Sequence, residues 1–404
     1  MDHAPIYAPY WSVTVVNIAV FVMLSTVENL YSRDELIPYM CICDLGAAKQ
    51  ASNMAKEISK VREQVLALIT EGRRFTIGMD CWSKKGLTAS FLGISASFFH
   101  PTHKVALTFL LNLFEIEHPH TGEMIADKLQ SSLHSWGIDP KKVLMVVTDN
   151  GSNMVKAVSM TLFEDDSEGT DDDDEEEEEE EEDTEDIGQT VTLHRFPCLA
   201  HTLQLVLKAV ETNAAYSQVM IKARSIVKKI RVSSVATEKL IARCGMTVVT
   251  ECSTRWNSNM FMIERMLKTK DAIGETLNDM KWDGLLASEW AKLDDLYHLL
   301  QPFTEHTNTM QTDNFALSNV IPVLIDLSNH LSSNGSTLAQ ALLRSLKVRF
   351  DTLLNPSNSH FDPIPSAACF VDPAVARIIM TPETAELLSA AKKFIVSLIC
   401  LMNL

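Results

Sequence analysis

Two aspartates stand where carboxylates can do chemistry: Asp80 ends the segment FTIGMD, and Asp149 follows the run VLMVVT. Hard Mg2+ takes carboxylate oxygens, and two such ions about 4 Å apart can clamp the attacking and leaving oxygens of a phosphoryl transfer. A single Asp at a strand end also serves as a turn or cap, so pattern alone leaves both roles open. Cys198 and His201 form a Cys-x2-His on an expected helix and could supply half a zinc site. The sequence offers no second ligand pair nearby. A buried thiol and a hydrogen-bonded imidazole are then the plainer reading, and no structural zinc is expected. Positive charge is modest: Lys222, Arg224, Lys228, Lys229 and Arg231 lie in KARSIVKKIR, while Arg73, Arg74, Lys84 and Lys85 flank the Asp80 segment. These side chains suit phosphates, or simply a solvated surface.

The elements that must position the aspartates follow from periodicity. Ala51 to Thr70 has helical spacing and ends at Gly72. In FTIGMD, Phe75, Ile77 and Met79 share one strand face, which puts Thr76, Gly78 and Asp80 on the other. Leu87 to Phe99 and Val105 to Phe114 are apolar runs joined by HPTHK, a turn that suits an antiparallel pair. Ile125, Leu129, Leu133 and Trp136 then form a helical stripe closed by Gly137. Val143 to Val147 reads as a strand covered on both faces, with GSNM opening a helix beyond Asp149. The order β-β-β-α-β predicts a crossover that returns the fourth strand beside the first and brings Asp149 near Asp80.

Composition bounds the rest. The 404 residues are 46% apolar and 22% charged, enough for two or three folded domains. The net charge of −18 comes from 35 basic and 53 acidic residues, of which 19 acids lie between Glu164 and Asp186. Outside that stretch 34 acids face 35 bases, so the acidic balance does not argue against a nucleic-acid partner. With no apolar side chain to bury, the stretch is expected to be a solvated insert. Eight cysteines without a repeated interval suit a reduced, intracellular protein. Trp11 to Thr26 is apolar but short for a membrane span, and no Lys or Arg precedes it. A buried element is expected there, and no membrane partner.

FTIGMDCWS, VVTDNGSNM, FPCLAHTLQLVL and STRWNSNMFMIERML occur in that order. Together they resemble the transposases of the hAT superfamily and the BED zinc-finger proteins domesticated from them. The resemblance runs from about Leu66 to Leu327 and continues more weakly in LLQPFTEHTNTM and ACFVDPAV. It implies an α/β fold class: an RNase H-like core, a mixed sheet starting β-β-β-α-β, interrupted by an all-α insertion domain. Asp80 and Asp149 match the first and second catalytic acids, with Mg2+ as the metal if the site is active. The family's third acid is a downstream glutamate within a dimerisation segment. The sequence stops before such a segment, and Glu305 and Glu386 match no catalytic motif of the family. Cys41-x-Cys43 lacks the histidines of a BED finger, so the chain is expected to be shortened at both ends.

The implied organisation is an N-terminal segment (1–50), the first part of the core (51–163), the acidic insert (164–190), a core continuation with the Cys-x2-His motif (191–215), a helical insertion domain (216–345) and a C-terminal core remnant (346–404). By resemblance, Arg255 and Trp256 match an "RW" pair near the active site, whose aromatic ring can stack on an extruded base. A core tryptophan beside a solvent-facing arginine fits the same residues. Cys198 and His201 carry over as DNA-end or scaffold contacts, with Lys84 and Lys85 as further DNA contacts. The expected protein is a nuclear, catalytically inactive, DNA- or chromatin-associated factor in transcription regulation. DNA is its expected partner, with a homodimer in full-length relatives and histones or other basic proteins on the acidic insert. The alternatives are a cut-and-paste transposase whose third carboxylate lies outside this chain, and a protein-interaction module.

Overall fold

The computed structural model describes residues 74–83, 89–100, 105–163, 191–250, 256–311 and 315–402, together with Glu63, Leu66 and Ala67. The readings of 1–50, of the Ala51 to Thr70 helix as a whole and of the acidic insert therefore fall outside the described residues. The chain divides into two compact units, Met1–Cys198 and Leu199–Leu404.

The first unit is built on a sheet. Strands β1 (Phe75–Ser83), β2 (Ser90–His100) and β3 (Val105–Ile116) form an antiparallel meander, and β4 (Val143–Thr148) pairs parallel to β1. A parallel return needs a crossover, supplied by helix α1 (Gly122–Ser135). After β4 come α2 (Ser152–Met160), the short pair β5 (Leu162–Phe163) and β6 (Val191–Thr192), and β7 (Arg195–Pro197). The five-stranded order is β3-β2-β1-β4-β7. The pairing Phe163↔Val191 brings together the chain on either side of residues 164–190.

Alternation along β1 decides what each face does. Phe75, Ile77 and Met79 are buried against Ile125, Leu129 and Leu133 of α1 and Met154 and Ala157 of α2, while Thr76, Gly78 and Asp80 remain half-buried on the other face. Each fully buried aliphatic or Phe side chain contributes about 1.5–3 kcal/mol. The Thr121 hydroxyl caps α1 by accepting the Met124 N–H at 3.2 Å, and Gly137 leaves the helix end at φ 64°, where a Cβ would strain the backbone. Trp136 closes the stripe and donates its indole N–H to the Leu111 carbonyl at 3.1 Å, which ties the end of α1 to β3. In β4, Met145, Val146 and Thr148 are buried, as expected of a strand with neighbours on both sides.

The second unit is helical. Its elements are α3 (Leu199–Thr212), α4 (Ala214–Val232), α5 (Ser234–Cys244), α6 (Trp256–Lys268), α7 (Lys270–Met280), α8 (Ala287–Met310), α9 (Val320–Ser333), α10 (Thr337–Arg349), α11 (Asp351–Leu354), α12 (Ile364–Val371), α13 (Ala376–Ile379) and α14 (Ala385–Met402). Polar ties set these helices against one another. Lys222 pairs with Glu289 at 2.7 Å, Arg224 donates to Asn259 at 3.1 Å, and Asp279 receives both Lys239 and Arg243. Buried Ile321, Cys369, Ile379 and Leu387 make a separate cluster, beside which Asp372 of the ACFVDPAV segment caps the chain entering α13. Among the described residues no helix is long and apolar enough to cross a membrane; Trp11 to Thr26 lies outside them.

Candidate nucleic-acid site

The register of the sheet brings the two aspartates together. In the parallel pair β1–β4, Gly78 lies opposite Val147. Asp80 stands two residues further along β1, and Asp149 follows the last residue of the neighbouring β4. The thiol of Cys81 reports both charges. Burial first, then the Asp80 carboxylate, then that of Asp149, push it up to about 12, so it stays protonated at neutral pH. Its sulfur lies 3.7 Å from that of Met154.

Asp149 is fixed by its own loop. Its Oδ1 accepts the Gly151 N–H at 2.9 Å, an Asx turn that leads into α2. A Cβ on Gly151 would meet that same oxygen at 3.0 Å. Arg195, on β7, holds the loop from the other side. Its Nε donates to the Thr148 hydroxyl at 2.8 Å, and one terminal nitrogen donates to the Asp149 carbonyl and to the Asn150 side chain. Burial lowers the guanidinium pKa, and the negative charge of Asp149 opposes that shift. The Cys198 N–H donates to the Thr148 carbonyl at 2.7 Å, so the strand end and the start of the Cys-x2-His motif share one backbone tie.

A carboxylate on β1 and another just past the end of the parallel β4 offer the hard oxygen donors that Mg2+ takes, so the residues present fit one side of such a site. Among the described residues no group of three or more His, Cys, Asp or Glu side chains is placed to hold a metal, and the Arg195 cation sits beside Asp149.

Cys198 is half-buried just before α3, and His201 lies within α3. Trp256 opens α6, its side chain outside the described residues together with Arg255, Lys84 and Lys85. Lys222 and Arg224 are engaged between helices, whereas Lys228, Lys229 and Arg231 are exposed on α4. Sequence reasoning missed Arg195 and Cys81.

The family description "ZBED1 RNase-like domain" matches residues 78–168, and "ZBED1 RNase-like helical domain" matches residues 196–299. These matches, with the relatives that follow, support a hAT-transposase-derived BED protein. The sheet is an RNase H-like α/β core, and a helical domain follows it. It is 22% identical over 78% of its length to the "Putative transcriptional regulator tpeD" of Talaromyces stipitatus. It is 26% identical over 47% of its length to the "Zinc finger BED domain-containing protein 4" of Homo sapiens. To the "Putative AC transposase" of Zea mays it is 22% identical over 67% of its length. The chain spans 39%, 17% and 33% of these three proteins.

Proposed function

We propose that this hAT-derived chain is a nuclear, DNA- or chromatin-associated regulator of transcription that does not cut DNA. The observation that carries the reading is the composition of the carboxylate end. Asp80 and Asp149 are kept side by side, yet no third acid joins them among the described residues, and Arg195 already places a cation beside one of the pair. Two donors hold a divalent ion less well than a full cage and position it less well. The relatives' names support regulation and transposition alike, "transcriptional regulator" in one and "transposase" in another.

In this reading DNA is the main partner, and the acidic stretch Glu164 to Asp186 is a place for histones or other basic proteins. The second reading is a cut-and-paste transposase. There Asp80 and Asp149 would hold Mg2+, which would supply an activated water, and the third carboxylate would come from outside the described residues. The place of Asp80 on β1 and of Asp149 just past the neighbouring β4 favours that reading over a pure interaction module.

The deciding experiment measures Mn2+-dependent nicking and DNA binding on the same preparation of the full chain. Binding that weakens with salt, without nicking, supports the regulator. Nicking that disappears in Asp80→Ala overturns it in favour of the transposase. Neither binding nor nicking leaves the interaction module.

A further inference from the structure

Helix α4 buries one face and leaves a patterned row on the other. Val219, Ala223, Ile226, Val227 and Ile230 are buried in the helical unit. On the opposite face, at i, i+7 and i+11, stand Ile221, Lys228 and Val232, the two apolar side chains 62% and 77% exposed. An exposed aliphatic by itself is ordinary. Here the row is edged by Arg224 and Arg231, so apolar and cationic side chains interleave along about three turns. Lys228 and Arg231 form no ion pair among the described residues. The row begins at a cleft. Val210 and Glu211 at the end of α3, with Ser217, Met220, Ile221 and Arg224 on α4, line a space of about 170 Å3. Its floor is apolar, since Val210 and Met220 are the buried members, and Ile221 stands at the rim. Arg224 is fixed at the cleft by donating to the Asn259 side chain at 3.1 Å.

Size and charge together select the occupant. Small-molecule sites measure about 300–1,000 Å3, so this cleft suits a single apolar side chain. A phosphate backbone would meet the cations but gain nothing from the apolar floor, Ile221 or Val232. An acidic amphipathic helix satisfies both, because its anchors recur at i, i+3 or i+4 and i+7 and its carboxylates complement Lys and Arg. We propose that the cleft and row dock an acidic amphipathic helix of a partner protein. One anchor enters the cleft, the next lies along Ile221 to Val232, and acids meet Lys228 and Arg231. The stretch Glu164 to Asp186 has the charge without an apolar side chain, so it offers no such anchor. Glu211, at the cleft, opposes an acidic ligand. The surface lies wholly on α3 and α4, and the proposal stands whether or not the chain binds DNA.

The test uses the full chain and a short fluorescein-labelled peptide, helical by design, with Leu or Phe at spacings of three and four and Asp or Glu between them. Anisotropy should report binding that falls about tenfold in Ile221→Ser and in Lys228→Glu and rises about twofold in Glu211→Gln. Ile221, Lys228 and Glu211 are exposed, so these variants keep the fold. The same peptide with Leu and Phe changed to Ser should bind about tenfold more weakly. An unaltered chain that does not bind the peptide overturns the docking surface, as do affinities within about twofold of wild type in both weakening variants. Equal binding of the Ser-substituted peptide overturns it too, leaving attraction of charge alone. Duplex DNA whose binding falls about tenfold in Ile221→Ser overturns it by assigning the face to nucleic acid. A dimer in sedimentation that dissociates in Ile221→Ser overturns it by assigning the face to a second copy. Hydrogen exchange on the unaltered chain needs no variant. Peptide-induced protection at the end of α3 and along α4 supports the proposal, and protection confined to other elements overturns it.

Discussion

Asp149 and Asp372 use the same local device in the two units. Each accepts the N–H of the residue two places on, Gly151 or Ala374, through Oδ1 at 2.9 Å, and each leads the chain into a helix. Each also lies near a thiol that burial first, and then a carboxylate, drives upward: Cys81 to about 12, and Cys369 to about 11 with Asp372 as the charge. They differ in what surrounds the second oxygen. The Oδ2 of Asp372 accepts the Ser318 hydroxyl at 2.6 Å, so this carboxylate is spent on holding its own unit together. Asp149 instead stands beside Asp80, with the guanidinium of Arg195 on its backbone carbonyl. The turn is common to both aspartates, and only the long-range neighbours distinguish a carboxylate that caps from one that is presented.

The largest contrast to be tested is thiol reactivity. With a pKa near 12, Cys81 has about one thiolate in 10,000 at pH 8. Cys369 is fully buried, while Cys400 is exposed on α14. Iodoacetamide labelling of the native chain, followed by peptide mass spectrometry, should modify Cys400 at least a hundredfold faster than Cys81 or Cys369. Comparable labelling of Cys81 would mean that the thiol is not buried near the two carboxylates as described.

The next effect is on stability. Arg195→Met leaves the Thr148 hydroxyl, the Asp149 carbonyl and the Asn150 amide oxygen without their donor. Losing half-buried bonds to a charged donor costs about 1.5–3 kcal/mol. Denaturant unfolding should show that loss in the sheet unit, with the midpoint of the helical unit unmoved. A loss of under about 0.5 kcal/mol would make Arg195 a surface residue rather than the clamp of the Asp149 loop.

What could be read from the sequence, and what could not, follows the same division. Period-two alternation in FTIGMD and the helical stripe from Ile125 to Trp136 predicted strands, face and crossover, because burial on one side leaves its trace in consecutive residues. That was enough to place the strand that precedes Asp149 parallel to the strand of Asp80 and next to it, as the observed ladder has it. Arg195 left no such trace, since its three acceptors stand 45 to 47 residues earlier in the chain. KARSIVKKIR looked like one basic face. Packing divides it, engaging Lys222 and Arg224 between helices and leaving Lys228, Lys229 and Arg231 exposed. The stacking of the Trp82 ring on that of Phe91 needed the register of β1 on β2, which the loop between the strands does not encode.

A smaller effect is expected at Asp372. The Ser318 hydroxyl first, and the Ala374 N–H second, hold its carboxyl below the usual carboxylate range. A depressed acid stabilises the fold fully above its unfolded value, roughly 3.8, and loses that contribution as the pH falls through the lower folded value. Asp372→Asn should therefore flatten the pH dependence of unfolding below about pH 4 and leave its shape near neutrality unchanged. An unchanged acid limb would mean that the Ser318 bond does not form in solution.

The smallest effect is the one that separates the two aspartates most sharply. Asn closes the same turn as Asp, so Asp149→Asn keeps the acceptor for the Gly151 N–H and should change stability by no more than about 0.5 kcal/mol. Its consequence is electrostatic. One of the two charges that act on Cys81 disappears, so the thiol pKa falls and iodoacetamide labelling of Cys81 quickens, while Cys369 is unaffected. Weak Mn2+ binding, followed by the broadening of the ion's paramagnetic resonance, should fall in the same variant, because one of two carboxylate donors is gone. A stability loss well above 1 kcal/mol with no change at Cys81 would place Asp149 with Asp372, as a cap and nothing more.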